Sequence, residues 1–399
     1  MRKFALLLLV GLAVPAFAAS EFRMDEQVTA AQLEQILASN HGKHDEYVER
    51  LLRGLELTQR LSAGRLARAE AELPGPASRK ALMGISDAAA FLNLPAEDLP
   101  AVAPPDHAAK ISLLTKAINY VNQTTHQLPN FFATRHTIYF EAKPGKQNAP
   151  PEQAITRELL SSVGTSNVTV FYRDGQEIKQ NNAGKPVKDD LYQLRLETSG
   201  EFGPILSTVL GDALNGKLGW GRWEQGSLGP MAVFRYSVAK ESSHYSVFYP
   251  DSKLEKRKEP AYHGEIAINP ADGAILRITL LADFDPSDSN VKANVLVEYG
   301  SVEIGKKSYI CPVKSVALSV VRIPKTDGFL PLFFKDVNPT GSSSLRMRIN
   351  DVRFTHYHLF RAESRILTED EAAAESLSPA PGPDTVQAAK PAKGSPQQP

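Results

Sequence analysis

The spacing of apolar residues changes once along this chain, and that change limits the fold more than any other feature. Up to about residue 126 apolar side chains recur every three or four positions; from about Thr134 to Glu363 they alternate. A 3.6-residue period lines one side of a helix, and a two-residue period lines one face of a strand. Val48, Leu51, Leu52, Leu55 and Leu57 open a helical stripe that Leu61, Leu66 and Ala69 continue. A second amphipathic pattern runs from Ser78 to Leu92 through Ala81, Leu82, Ile85, Ala89 and Phe91. Pro95 to Pro105 holds four prolines and interrupts the helices. A further helix from Asp106 to Thr125 sets Ile111, Leu114, Ala117, Ile118 and Val121 on one face, with Asp106 as its N-cap.

The alternating region predicts strands at His136–Glu141, Val168–Arg173, Leu191–Thr198, Met231–Val238, His244–Tyr249, Gly264–Asn269, Ala274–Ala282, Val291–Tyr299, Tyr309–Val321 and Leu345–Phe360. Phe234, Tyr236 and Val238 alternate with Arg235 and Ser237, which is the mark of an antiparallel sheet with one packed and one wet face. Asn269-Pro270-Ala271-Asp272-Gly273 reads as a hairpin turn, and Pro204 to Leu214 as one helical interruption. The fold class that follows is α+β. A helical region over residues 19–126 precedes a large curved antiparallel β-sheet, a half-barrel or open barrel, over 127–365. The Ala- and Pro-rich tail, 366–399, is too poor in apolar residues to order itself.

Arg2 and Lys3, the apolar run Leu6 to Val14 and the small residues Ala16 and Ala18 read as a cleavable signal peptide over 1–18. The run is too short for a spanning helix, so the expected location is periplasmic or extracellular, with no transmembrane span after cleavage. The chain carries 45 basic and 45 acidic residues, which argues against a nucleic-acid partner. Its single cysteine, Cys311, excludes an intramolecular disulfide and a cysteine metal cluster. In the apolar run Tyr309–Val313 it reads as a small buried hydrophobe.

The motifs that carry chemistry are sparse. His41 and His44 are three apart beside Gly42, and His356 and His358 share one side of a strand, but neither pair has an evident third ligand. The acidic run Asp283–Asn290 lacks the glycine and glutamate of an EF-hand loop, with Asp288 and Asn294 at those positions. No Gly-x-Ser-x-Gly and no phosphate-cradling glycine loop occurs. No cofactor or metal is implied, and no catalytic residue stands out. More suggestive are apolar side chains in loops: Phe329-Leu330-Pro331-Leu332-Phe333-Phe334, and Leu128-Pro129-Asn130-Phe131-Phe132. Trp220-Gly221-Arg222-Trp223 sets two tryptophans on one side of a strand, as core or as an aromatic platform.

From Met231 to Val321 the order of strands and turns is distinctive. Gly264-Glu265-Ile266-Ala267-Ile268-Asn269-Pro270-Ala271-Asp272-Gly273-Ala274-Ile275-Leu276-Arg277 is followed by Val297-Glu298-Tyr299-Gly300 and by Cys311-Pro312 opening another strand. This resembles the periplasmic lipoprotein-carrier (lipoprotein-sorting) half-barrels. The resemblance implies a curved antiparallel sheet wrapped around a hydrophobic cavity, with helices as a lid. The overall layout is similar to secreted bacterial proteins that pair a helical N-terminal part with such a sheet. Here the large helical region precedes the sheet, and no functional arginine of a carrier maps onto this chain.

The first functional expectation is therefore a non-enzymatic envelope protein that binds or carries a lipid or other hydrophobic ligand. Its inward residues would be Phe234, Tyr236, Ile266, Ile268, Leu276, Ile278, Val295, Val297, Val316 and Leu318, with Phe329, Phe333 and Phe334 as a flap. The second is an interaction or scaffold module that docks an envelope protein partner through an exposed apolar patch around Leu51 to Leu61. The third is a hydrolase with no linear motif, holding Ser, His and an acid in a polar cleft or a metal at His356 and His358.

Overall fold

The computed structural model describes residues 26–143, 159–174, 176–180, 201–227, 229–251, 254–285, 290–324 and 343–360. The predicted signal peptide, the strand expected at Leu191–Thr198, the Phe329–Phe334 loop and the tail lie outside these residues.

The N-terminal part comprises β1 (Glu26–Val28), α1 (Ala30–Ser39), α2 (Asp45–Arg53), β2 (Leu55–Leu57), α3 (Ala63–Ala71) and α4 (Pro76–Ala88). Thr29 begins α1 with a capping box: its hydroxyl accepts from the Gln32 N–H, and the Gln32 side chain accepts from the Thr29 N–H. Asp45 at the start of α2 accepts from the Ala77 and Ser78 N–H groups, each at 2.9 Å. One carboxylate thus satisfies two orphan donors of α4 and meets the positive end of its dipole. Leu33, Leu52 and Leu82 are fully buried in a core of this part's own.

Here the helical stripe read from the sequence is corrected. Gly54 ends α2, and Leu55–Leu57 form a short strand paired parallel to β1, with both leucines buried and Glu56 exposed. Val48, Leu52, Leu55, Leu57 and Leu61 are all buried. The exposed apolar patch that a docking module would present around Leu51 to Leu61 is therefore core.

A proline-rich stretch leads to α5 (His107–Gln127), whose first turn is capped as expected: the Asp106 carboxylate accepts from the Ala109 N–H at 2.7 Å. The sheet follows: β3 (Phe131–Lys143), β4 (Leu159–Arg173), β5 (Gln176–Gln180), then α6 (Pro204–Asn215), β6 (Lys217–Gly226) and β7 (Gly229–Val238). After a separate hairpin, β8 (Val247–Asp251) and β9 (Leu254–Lys258), come β10 (Ala261–Ile268), β11 (Ile275–Asp283), β12 (Asn290–Ile304), β13 (Lys307–Pro324) and β14 (Ser343–Leu359). Ten strands form one antiparallel sheet in the order β5-β4-β3-β14-β13-β12-β11-β10-β7-β6. The sheet is curved and does not close, so β5 and β6 are its edges. The last strand, β14, lies in the interior between β3 and β13.

The turn at Asn269–Gly273 forms as read. The Asn269 N–H donates to the Ala274 carbonyl at 2.8 Å, the Gly273 N–H to the Asn269 carbonyl at 2.9 Å, and Gly273 has φ +84°. A Cβ there would meet the α5 backbone at Lys116 at 2.5 Å, so glycine serves both the turn and the close approach.

Cross-strand pairing sorts the sheet into two faces. Phe234, Ile266, Ile278 and Val297 are linked by register and share one face. α5 and α6 cover it with Leu113, Ala117, Val121, Val209 and Ala213. Leu296, Val316, Leu318, Ile349 and Phe140 share the other face, partly covered by Met83 and Ala88 of α4 and by Ala90 just after it. Gly84 lets α4 come close: a Cβ there would lie 3.0 Å from the Phe140 ring.

Candidate functional site

On the first face the helices leave almost no room. Phe234, Tyr236, Ile266, Ile268, Ile278, Val295 and Val297 sit together in one buried cluster beneath α5 and α6. Among the described residues, a cavity between those helices and the sheet, near Phe202, Ile275 and Tyr299, has about 20 Å³. That is about the space of one water molecule. Tyr236 fixes its hydroxyl there by donating to the Thr279 carbonyl at 2.7 Å.

The other predicted ligand residues point elsewhere. Pairing passes from Ala267↔Arg277 to Ile268↔Ile275, so Leu276 is the extra residue of a β-bulge and turns to the second face, beside Met231, Val233 and Ala267. Val316 pairs with Leu296, and Leu318 with Asn294 and Ile349, which also places them on the second face. The expectation that all ten strand residues share one surface is thereby corrected; a bulge and the β12–β13 register divide them. Phe329, Phe333 and Phe334 lie outside the described residues.

The second face holds an open cleft of about 610 Å³ between the N-terminal helices and the sheet. Its middle is apolar, with Leu61, Leu66 and Leu94 from the helical side and Met231, Leu276, Leu296 and Val316 from the sheet. A neighbouring groove of about 600 Å³, with Phe91, Leu92, Leu218, Lys217 and Arg235 on its walls, shares Arg60 with it.

One end of the cleft is rich in arginine. Glu224 on β6 is 2% exposed and binds three guanidiniums: Arg60 at 2.7 Å, Arg277 at 2.8 Å, and Arg222. Arg222 also holds Glu265 at 2.5 and 2.7 Å. Burial works to raise the Glu224 carboxyl, but Arg277, Arg60 and Arg222 outweigh it and hold it at about 2. Burial, helped by Arg277, pulls Arg60 down to about 10.

The other end is rich in acid. Lys314 on β13 donates to Asp87 of α4 at 2.6 Å and lies 3.3 Å from Asp351 of β14. Asp87 and Asp351 are 1% and 0% exposed. Burial drives the Asp87 carboxyl up to about 8, against the pull of Lys314 and with the push of Asp351. Two ionised acids offer each other only acceptors, so one proton kept between them turns repulsion into a hydrogen bond. Burial lowers Lys314, but Asp87, Asp351 and Glu298 together raise it.

The sites singled out from sequence resolve differently. His41 contacts Glu72 at 3.1 Å on the surface, and His44 only precedes α2. His356 and His358 do not share a side by simple alternation: pairing shifts between Thr355 and His358, His356 takes φ +52°, and Tyr357 turns inward to donate to the Pro312 carbonyl. Among the described residues no group of three His, Cys, Asp or Glu is arranged to hold a metal. The buried Cys311 thiol is pushed up to about 12 by desolvation. A pairing shift between Trp220 and Arg222 brings both tryptophan rings to one side, 5.0 Å apart and edge to face, where Trp223 donates to the Ala103 carbonyl at 3.0 Å. Asp212 on α6 binds His244 Nδ1 at 2.6 Å and the Tyr262 hydroxyl at 2.7 Å; among the described residues no serine bonds to that imidazole.

Sequence reasoning missed Arg60, Asp87, Arg222, Glu224, Glu265, Arg277, Lys314 and Asp351. The sheet members stand at alternating positions that a one-sided sheet assigns to water. Their only signal was opposite charge: Arg222 and Glu224 in one strand, Glu265 and Arg277 across a hairpin. No protein-family model, no curated protein and no solved structure matches the chain.

Proposed function

We propose that this is an exported, non-enzymatic binding protein that holds a lipid or another largely apolar ligand between its N-terminal helices and its sheet. The cleft of about 610 Å³, walled by leucines from one layer and by Leu276, Leu296 and Val316 from the other, is the observation that supports this reading. Its volume falls within the range of small-molecule sites, and such sites are mostly apolar with a few fixed polar groups. On the first face α5 and α6 pack onto the sheet, and the cavity found between them among the described residues is about 20 Å³.

Native mass spectrometry of the mature protein, before and after organic extraction, tests the proposal, together with uptake of a fluorescent fatty-acid analogue. Leu276→Trp fills the cleft from the sheet side and is expected to abolish uptake. Ile278→Val, two positions on but beneath α5 and α6, is expected to leave uptake unchanged. Undiminished uptake by the Leu276→Trp protein, or an apo mass with no uptake by the unmodified one, overturns the reading.

A further inference from the structure

Building on the cleft as the ligand site, the geometry points to a subsite for one anionic group, a carboxylate or phosphate, at Arg60 and Arg277, so that the ligand is an amphiphile with a single acidic end. Three guanidiniums, Arg60, Arg222 and Arg277, meet two carboxylates, Glu224 and Glu265, in a buried cluster. At neutral pH all three arginines keep their protons, and both glutamates are held below their ordinary range by these arginines against the opposing effect of burial. The cluster therefore retains one positive charge in surroundings where an uncompensated charge is costly. Arg235 adds another guanidinium at its edge, 3.4 Å from Glu265 and 59% exposed.

The hydrogen bonds tell the same story. Arg60 and Arg277 each use only Nη2, and both donate to the same carboxylate, Arg60 to Oε1 and Arg277 to Oε2 of Glu224. Among the described residues Nε of each is sealed from solvent without a partner, and Nη1 of each, which is not so sealed, makes no hydrogen bond either. Arg222, by contrast, uses both terminal nitrogens on Glu224 and Glu265. Buried donors in folded proteins nearly always find acceptors. Two guanidiniums flanking one carboxylate and lining an open cleft are placed to share a second anion. Arg60 is only 9% exposed yet borders both the cleft and the adjoining groove.

The rest of the cleft decides the ligand's other end. Leu61, Met231 and Leu276 adjoin the arginines, while Glu298, Asp87 and Glu70 line the remainder together with Lys314, held by Asp87 and Asp351, and Arg353, paired with Asp351. Both of those cations are already paired with aspartates, so a second anionic group meets no cation in excess there; an uncharged chain meets leucines.

The test is competition for the full-length mature protein loaded with a fluorescent fatty-acid analogue. Hexadecanoic acid is expected to displace the probe at least tenfold more tightly than hexadecanol, which has the same chain and no charge. Arg60→Met keeps the stem and removes the charge; it is expected to bring the two within threefold by weakening the acid alone. Equal affinity of the unmodified protein for acid and alcohol overturns the anion subsite and leaves the cleft proposal standing. Binding of neither overturns the cleft proposal itself. The acid-to-alcohol comparison needs no variant, so it decides even if Arg60→Met misfolds. Inorganic phosphate at millimolar concentration separates the anion's source: displacement of the acid marks a site that accepts the free anion. Acid preference without displacement by phosphate marks one that reads the headgroup only on its chain.

Discussion

The two ends of the interlayer cleft make the same kind of contact with opposite excess. At one, Glu224 and Glu265 lie among three arginines; at the other, Asp87, Asp351 and Glu298 surround Lys314, with the half-exposed Arg353 on the outer side of Asp351. Each ties an N-terminal residue, Arg60 or Asp87, to the sheet. The acid-rich end can relieve its excess by keeping a proton on Asp87, whose carboxyl is driven up to about 8 by burial and by Asp351. The arginine-rich end has no such recourse, because guanidinium stays charged at any ordinary pH. A buried acid pair can neutralise itself, whereas a buried arginine cluster must find a counter-ion.

The sharpest way to break this comparison is to remove the central group of each end. Glu224→Gln leaves three guanidiniums facing one another and is expected to destabilise by about 3–5 kcal/mol, the usual cost of orphaning buried charge. Lys314→Met is expected to cost less, about 1–3 kcal/mol, since the two aspartates then share a proton. Urea unfolding of both variants at neutral pH reads the difference, and a larger loss for Lys314→Met would contradict the asymmetry.

A smaller effect separates the ends by pH. A raised acid pKa contributes stability that is complete below its unfolded value, 3.8 for Asp87, and is lost as pH rises through about 8. Glu224 has the opposite sign: depressed from 4.5 to about 2, it contributes above 4.5 and loses that contribution as pH falls through about 2. Asp87→Asn is therefore expected to flatten the decline in urea midpoint between pH 4 and pH 8. An unchanged slope would mean that Asp87 is ionised across that range.

How much of this was legible depends on which face of the sheet is considered. Strands β7, β10, β11 and β12 followed from alternation because α5 and α6 cover only one alternate set of their residues, whereas the strand expected at His244–Tyr249 begins only at Val247. The α5 cap at Asp106 and the turn at Gly273 followed from local chemistry, which tertiary packing did not override. The second face was misread because the rule of one wet side fails where a further layer of helices lies over it. Arg277 looked solvated and is 6% exposed. β9 was missed for a related reason: Leu-Glu-Lys-Arg-Lys has no apolar period, and β9 forms only as the partner of β8. Leu55–Leu57 mimicked a helix because three residues of alternation fit within a helical stripe.

The place of the final strand bears on how the chain assembles. Apart from the separate β8–β9 hairpin, strands β3–β5 and β6–β13 are two consecutive meanders, and among the described residues only β14 bridges them, pairing with β3 on one side and β13 on the other. Until Ser343–Leu359 has arrived, each meander ends in an open row of unpaired amides, and Phe140 and Val316 have no strand between them. The slow, long-range pairing of the sheet therefore waits for its last segment. A chain built this way joins its two halves into one sheet only when the strand that came last pairs on both sides.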